Sequence, residues 1–134
     1  MDPIELKDYA VQYANAWSSN DPDRVLALHA ESSRLSVNDG DPAIGKPAIR
    51  KVVKAFMEAF PDLYIRVNEV VVEERGIVFY CNAIATNSGP GGTGNKIDIE
   101  INEIWTFDET GKLIEVKAYD DPEDFERQLN QSPT

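Results

Sequence analysis

The chain has 134 residues, the usual size of one domain, and its 24 acidic against 13 basic residues leave a formal charge of -11, a field that repels nucleic-acid backbones and anionic membrane surfaces alike. Cys81 is the only cysteine, which excludes an internal disulfide or a cysteine-based zinc cluster and fits a cytoplasmic setting. The N-terminus has no basic region followed by an apolar run, and no stretch is apolar enough for long enough to cross a bilayer, so neither secretion nor membrane insertion is expected.

Asp2-Pro3-Ile4-Glu5 reads as a helix start: an aspartate cap, a proline where no amide is needed and an acid at the positive end of the dipole. Leu6, Tyr9, Tyr13 and Trp17 then recur on one helical stripe. Asp21-Pro22-Asp23 repeats the signal for a shorter helix, on which Val25, Leu28 and His29 share a face and His29 ends the element. A short strand is expected at 33 to 39, with Leu35 and Val37 on one side, followed by a loop from Asn38 to Pro42. Pro47 opens a third helix with an apolar stripe of Ile49, Val52, Val53, Phe56 and Phe60, and Pro61 stops it.

From Leu63 the period becomes two. Leu63, Ile65 and Val67 alternate, and Val70 and Val72 continue on the opposite parity, so a bulge is expected near Asn68 or Glu69. Further strands follow at about 77 to 87, 97 to 107 and 112 to 120, an antiparallel meander of strands long enough to bend. Asp121-Pro122-Glu123 starts a short polar helix running to about Gln128, after which Ser132-Pro133-Thr134 frays. Helices before strands indicate α+β: one domain spanning 1–134, with N-terminal helices packed on a long, bent antiparallel sheet around a central apolar pocket.

At period two, Ile97, Ile99, Ile101, Glu103, Trp105 and Phe107 share one face of their strand, and Glu103 is its only charge. A carboxylate in that position must find a donor or hold a proton, which suits acid-base work. A bulge or an early strand end would instead expose Glu103, or leave it in a dimer contact. The same parity turns Ile114, Val116, Ala118 and Asp120 inward and leaves Asp121 to cap the last helix, although Asp-Asp-Pro is also a common turn. Tyr13 would point its hydroxyl into whatever the sheet encloses, or be an ordinary core tyrosine. His29 is read as a helix-end or packing residue. The glycine-rich segment Ser88 to Gly94 joins two strands and lacks the following helix that a phosphate loop needs. One histidine and one cysteine make no metal-ligand cluster.

Several phrases of the sequence resemble the SnoaL-like polyketide cyclases of the nuclear transport factor 2-like superfamily, to which ketosteroid isomerase and limonene epoxide hydrolase also belong. They are Tyr13 to Trp17 with Asn20-Asp21, Gly45-Lys46-Pro47-Ala48-Ile49, Phe60-Pro61-Asp62, Thr86-Asn87-Ser88-Gly89 with Gly92-Thr93-Gly94, Gly111-Lys112-Leu113-Ile114-Glu115 and Gln128-Leu129. The resemblance implies a cone of bent sheet around an apolar cavity, commonly dimeric, with no cofactor. It sets Tyr13 at an oxyanion-hole tyrosine and Glu103 at a protonated aspartate, the arrangement cited generally for ketosteroid isomerase. It sets the isomerase base on Val37 or Asn38, neither of which abstracts a proton, unless Asp39 substitutes. The cyclases' acid-base aspartate falls at Asp120 or Asp121, and their histidine falls on Asn87. The hydrolases' relay arginine has no counterpart between 97 and 107.

The resulting expectation is acid-base catalysis on a small apolar carbonyl or polyketide-like compound by Tyr13, Glu103 and Asp120 or Asp121, with Trp17, Val37, Asn38, Phe56, Phe60, Asn87 and Trp105 around the substrate. The alternatives are a non-catalytic apolar-ligand carrier and a dimeric interaction module of the same fold.

Overall fold

The computed structural model describes residues 1–131; Ser132 to Thr134, for which fraying is expected, lie outside them. The Asp2 side chain accepts a hydrogen bond from the Glu5 N–H at 2.8 Å, and α1 (Pro3–Trp17) begins there. The second helix, α2 (Pro22–Leu26), starts on the Asp21 side chain and ends at Leu26. His29 therefore does not end a helix, as the spacing suggests, but opens β1 (His29–Val37). Two bonds to a distant segment make the difference: the Leu113 N–H donates to Leu28 O at 2.9 Å, and Lys112 Nζ donates to Ala27 O at 2.7 Å. Sheet pairing thus begins earlier than local sequence indicates.

A turn returns the chain to β2 (Ala43–Ile44), a strand too short to announce itself, which pairs with Arg34 and Leu35. The third helix, α3 (Lys46–Ala59), buries Ile49, Val53 and Met57 and stops before Pro61. Then come β3 (Tyr64–Glu73), β4 (Gly76–Thr86), β5 (Lys96–Phe107) and β6 (Leu113–Tyr119), followed by α4 (Pro122–Leu129). The β3–β4 register shifts between Val67 and Glu69. Asn68 is the extra residue, where the change of parity predicts a bulge, and an extra residue bends its strand.

The sheet has six strands in the order β2-β1-β6-β5-β4-β3. The α+β class and the antiparallel β3-to-β6 meander hold; β1, however, lies parallel to β6, with Val37 opposite Ala118. The long excursion through α3 and four strands allows this, since parallel neighbours need a long connection. The core lies between the concave sheet face and α1 and α3. Ala10 and Tyr13 join Phe79, Ile97 and Trp105 in one buried cluster there. No described helix is long and apolar enough to cross a membrane.

Small side chains on that face determine where the core is incomplete. Phe79 and Trp105 stack at 4.7 Å between centroids and fill one end. Cys81 and Ala83 on β4 and Ala118 on β6 face the same way with far less volume. With α1 and α3 spread across them, a space remains.

Candidate functional site

That space is a hollow of about 350 Å³, within the usual range for small-molecule pockets. Its floor is formed by Cys81, Ala83, Ile99 and Ile101, and its walls by Trp17 of α1, Phe56 of α3 and Phe125 of α4. The carboxyl groups lining it are those of Glu103 and Asp120, and no lysine, arginine or histidine lines it among the described residues.

Glu103 is 8 % exposed, placed on the concave face by the alternation along β5. Its Oε1 accepts a hydrogen bond from the Tyr13 hydroxyl at 2.6 Å and another from Trp105 Nε1 at 3.1 Å. Burial raises the carboxyl's pKa above the ordinary value, and the two donors pull it back only in part. Burial first, and the neighbouring Glu103 charge second, hold Tyr13 well above the usual phenol range, so it remains a proton donor. Both bonds fall on one oxygen of Glu103, which leaves Oε2 as the atom able to gain or lose a proton toward the hollow. Tyr13 also lines the hollow, but its hydrogen is directed at Glu103.

Asp120 stands at the mouth, half-buried, one residue beyond the end of β6. Asp121 does something else: its side chain accepts from the N–H groups of Glu123 and Asp124 at 3.1 and 3.2 Å and caps α4. Val37 lines the mouth, 51 % exposed. Asn38 does not line it; its side chain is bonded to Asp120. Asp39, the conceivable substitute base, is exposed and accepts a bond from the Tyr119 hydroxyl at 2.7 Å, outside the lining.

The other expected contact residues divide. Trp17 and Phe56 line the hollow. Phe60 packs behind Phe56 and Phe125, at 4.8 and 6.1 Å between ring centroids. Trp105 lies beneath Glu103 and holds it. Asn87 is remote from the lining: its Nδ2 donates to Ala59 O at 3.1 Å, and its Oδ1 accepts from the Thr93 N–H at 2.8 Å, tying the glycine-rich loop to the end of α3. His29 is buried, its Nδ1 2.8 Å from Ser33 Oγ. Burial, then the Lys46 charge, hold its pKa down to about 4, so it is neutral and acts in packing. No group of residues that would hold a metal occurs among the described residues.

Phe125, Tyr119 and Cys81 line the hollow without having been expected there from the sequence. Phe125 and Leu129 are four apart in an otherwise polar helix, a two-residue stripe that marks its inner side. The Cys81 thiol is pushed up by burial first and the Glu103 charge second, which makes it inert rather than nucleophilic.

The SnoaL-like polyketide cyclase family model matches residues 7–129. Among solved structures, a SnoaL-like protein from Jannaschia sp. CCS1 superposes with a TM-score of 0.82 at 17% identity, over 98% of this chain and 95% of that one. The epoxide hydrolase/cyclase-like enzyme SalBIII, of pyran ring formation in the polyether salinomycin, gives 0.78 at 16% identity over 92% and 95%. A protein of ketosteroid isomerase-like fold from Catenulispora acidiphila DSM 44928, in complex with trimethylamine, gives 0.77 at 10% identity over 91% and 92%. Identities this low establish a shared fold. No curated protein matches the sequence.

Proposed function

Because this chain belongs to the SnoaL-like polyketide cyclase family, we propose that it carries out acid-base chemistry of the isomerase or cyclase type on a small, apolar, uncharged carbonyl or polyketide-like compound. The observation that carries the reading is Glu103. It is a carboxyl group in an apolar hollow, with two donors on one oxygen and the other oxygen free. A neutral Glu103 donates its Oε2–H to the carbonyl oxygen, and Tyr13 and Trp105 stabilise the carboxyl as that proton shifts. Asp120 removes a proton from the carbon next to the carbonyl. The C–H electron pair moves into the new C=C bond as the carbonyl becomes an enol.

Where the enol is conjugated, return of the proton from Asp120 to a different carbon, with the enol O–H proton going back to Glu103, completes an isomerisation. Attack of the enol carbon on a second carbonyl forms a C–C bond and breaks that carbonyl's π bond; the new alkoxide takes the proton held by Asp120 and the enol O–H returns its proton to Glu103, which completes a cyclisation. The lining lacks a cationic side chain among the described residues and the chain carries a formal charge of -11, so a carboxylate- or phosphate-bearing substrate has nothing to pair with.

The test does not require the natural substrate. In D₂O, 2-tetralone is expected to exchange its α-protons for deuterium faster with the protein than in buffer, as followed by proton NMR. Glu103→Gln and Asp120→Asn are each expected to lower that rate about a hundredfold or more. Exchange no faster than in buffer, or equal exchange by Glu103→Gln, rules the reading out.

A further inference from the structure

The turn after β1 is bonded to the end of β6. Asn38 and Asp39 both have positive φ, 50° and 59°, and the Gly40 N–H donates to Val37 O at 2.9 Å, the pattern of a type I′ turn. Glycine, asparagine and aspartate all tolerate that backbone, so the turn alone does not require asparagine at 38. Its side chain does. Asn38 Nδ2 donates to Asp120 Oδ1 at 2.6 Å, and the Asp120 N–H donates back to Asn38 Oδ1 at 3.0 Å. The Asn38 N–H also donates to Ala118 O at 2.8 Å, which fixes the turn against β6.

A carboxamide provides a donor and an acceptor together; an ionised aspartate has no donor, and glycine has neither. The two bonds also set which way the amide faces. With Oδ1 tied to the amide, Oδ2 is the oxygen of Asp120 left for the hollow. Other ionisable side chains border this point. Asp39 and Tyr119 bond one another, Asp121 is occupied by the α4 amides, Glu123 and Asp124 follow in α4, and Glu103 lies across the hollow. Arg75 is the cation whose charge reaches Tyr119, and Asn38 is the only side-chain donor to Asp120 among the described residues.

We propose that Asn38 is the positioning residue of the site, holding the Asp120 carboxylate at the mouth with one oxygen tied down and the other presented inward. This assignment rests on the reading of Asp120 as the proton acceptor. Two variants separate positioning from turn formation. Asn38→Gly keeps the backbone and removes both side-chain bonds, whereas Asn38→Asp keeps the acceptor and puts a carboxyl where the donor was.

The Asp120 carboxyl carbon is observed by NMR of the full chain with labelled aspartate, its signal assigned by its loss in Asp120→Asn. At neutral pH that signal is expected to shift in both Asn38→Gly and Asn38→Asp, where the carboxamide donor is gone. The maximal exchange rate with 2-tetralone is expected to fall about tenfold or more in both variants with KM little changed, while the Asn38→Gly melting temperature stays within a few degrees of the parent. An Asp120 signal unchanged in both variants would reduce Asn38 to a turn residue and overturn the proposal. A parent protein that exchanges no 2-tetralone overturns the functional reading alone, because the carboxyl signal still decides the role of Asn38.

Discussion

At Glu103 two effects oppose each other. Removal from water favours the neutral carboxyl, while the Tyr13 and Trp105 donors favour the ionised one, and the balance lies above the ordinary glutamate value. A carboxyl whose folded pKa is raised contributes stability that is complete below the unfolded value and is lost as pH rises through the folded one. Glu103→Gln retains an acceptor for Tyr13 without the charge. It is therefore expected to be more stable than the parent at pH 7, with the difference closing below about pH 4, as read from urea midpoints across that range. A gap that does not depend on pH would mean that Glu103 titrates as in water. Sequence alternation alone placed this side chain on the apolar face, but the two donors come from positions 2 and 90 residues away. The nearer was visible in the strand pattern; the farther needed α1 to be laid on the sheet.

The elements divide by whether their ends carry their own instructions. Asp2, Asp21 and Asp121 each cap the helix that follows, with a proline at the first turn, and all three helix starts were legible because capping is a matter of a few adjacent residues. The start of β1 and the two-residue β2 were not, because both exist through pairing with distant strands. The glycine-rich loop is a further case. A side chain on Gly89 would meet Glu58 O at 1.9 Å, so this glycine lets the loop lie against the end of α3, whereas Gly91, with φ at 76°, faces open space. Gly89→Ala is expected to cost roughly 3 kcal/mol by displacing the loop and Gly91→Ala about 1 kcal/mol through backbone strain alone, measured as the shift in denaturation midpoint. Equal costs would mean that the loop does not depend on close approach to α3.

For the whole molecule, charge and shape act together. An acidic protein with an apolar hollow of about 350 Å³ is expected to select by size and by sign of charge. 2-Tetralone at a hundred times its Kd is expected to stabilise the fold by about 2.7 kcal/mol, several degrees in melting temperature. Naphthalene-2-carboxylate, of similar shape but anionic, is expected to stabilise it far less at the same concentration. Equal stabilisation by both compounds would show that the hollow does not discriminate by charge.

Leaving open which of Asp120 and Asp121 faces the hollow, the sequence by itself determined the fold class, the helix starts, a bulge near Asn68 or Glu69 and the apolar-face parity of Glu103. Each follows from periodicity or from chemistry within a few residues. Only the tertiary structure decided that β1 runs parallel to β6, that His29 belongs to the sheet, that Asn87 serves a loop and that Asn38 meets Asp120 across 82 residues. Contacts of that length depend on how bent the sheet is and on which side chains are too small to fill it, and no local pattern encodes the sum of those volumes.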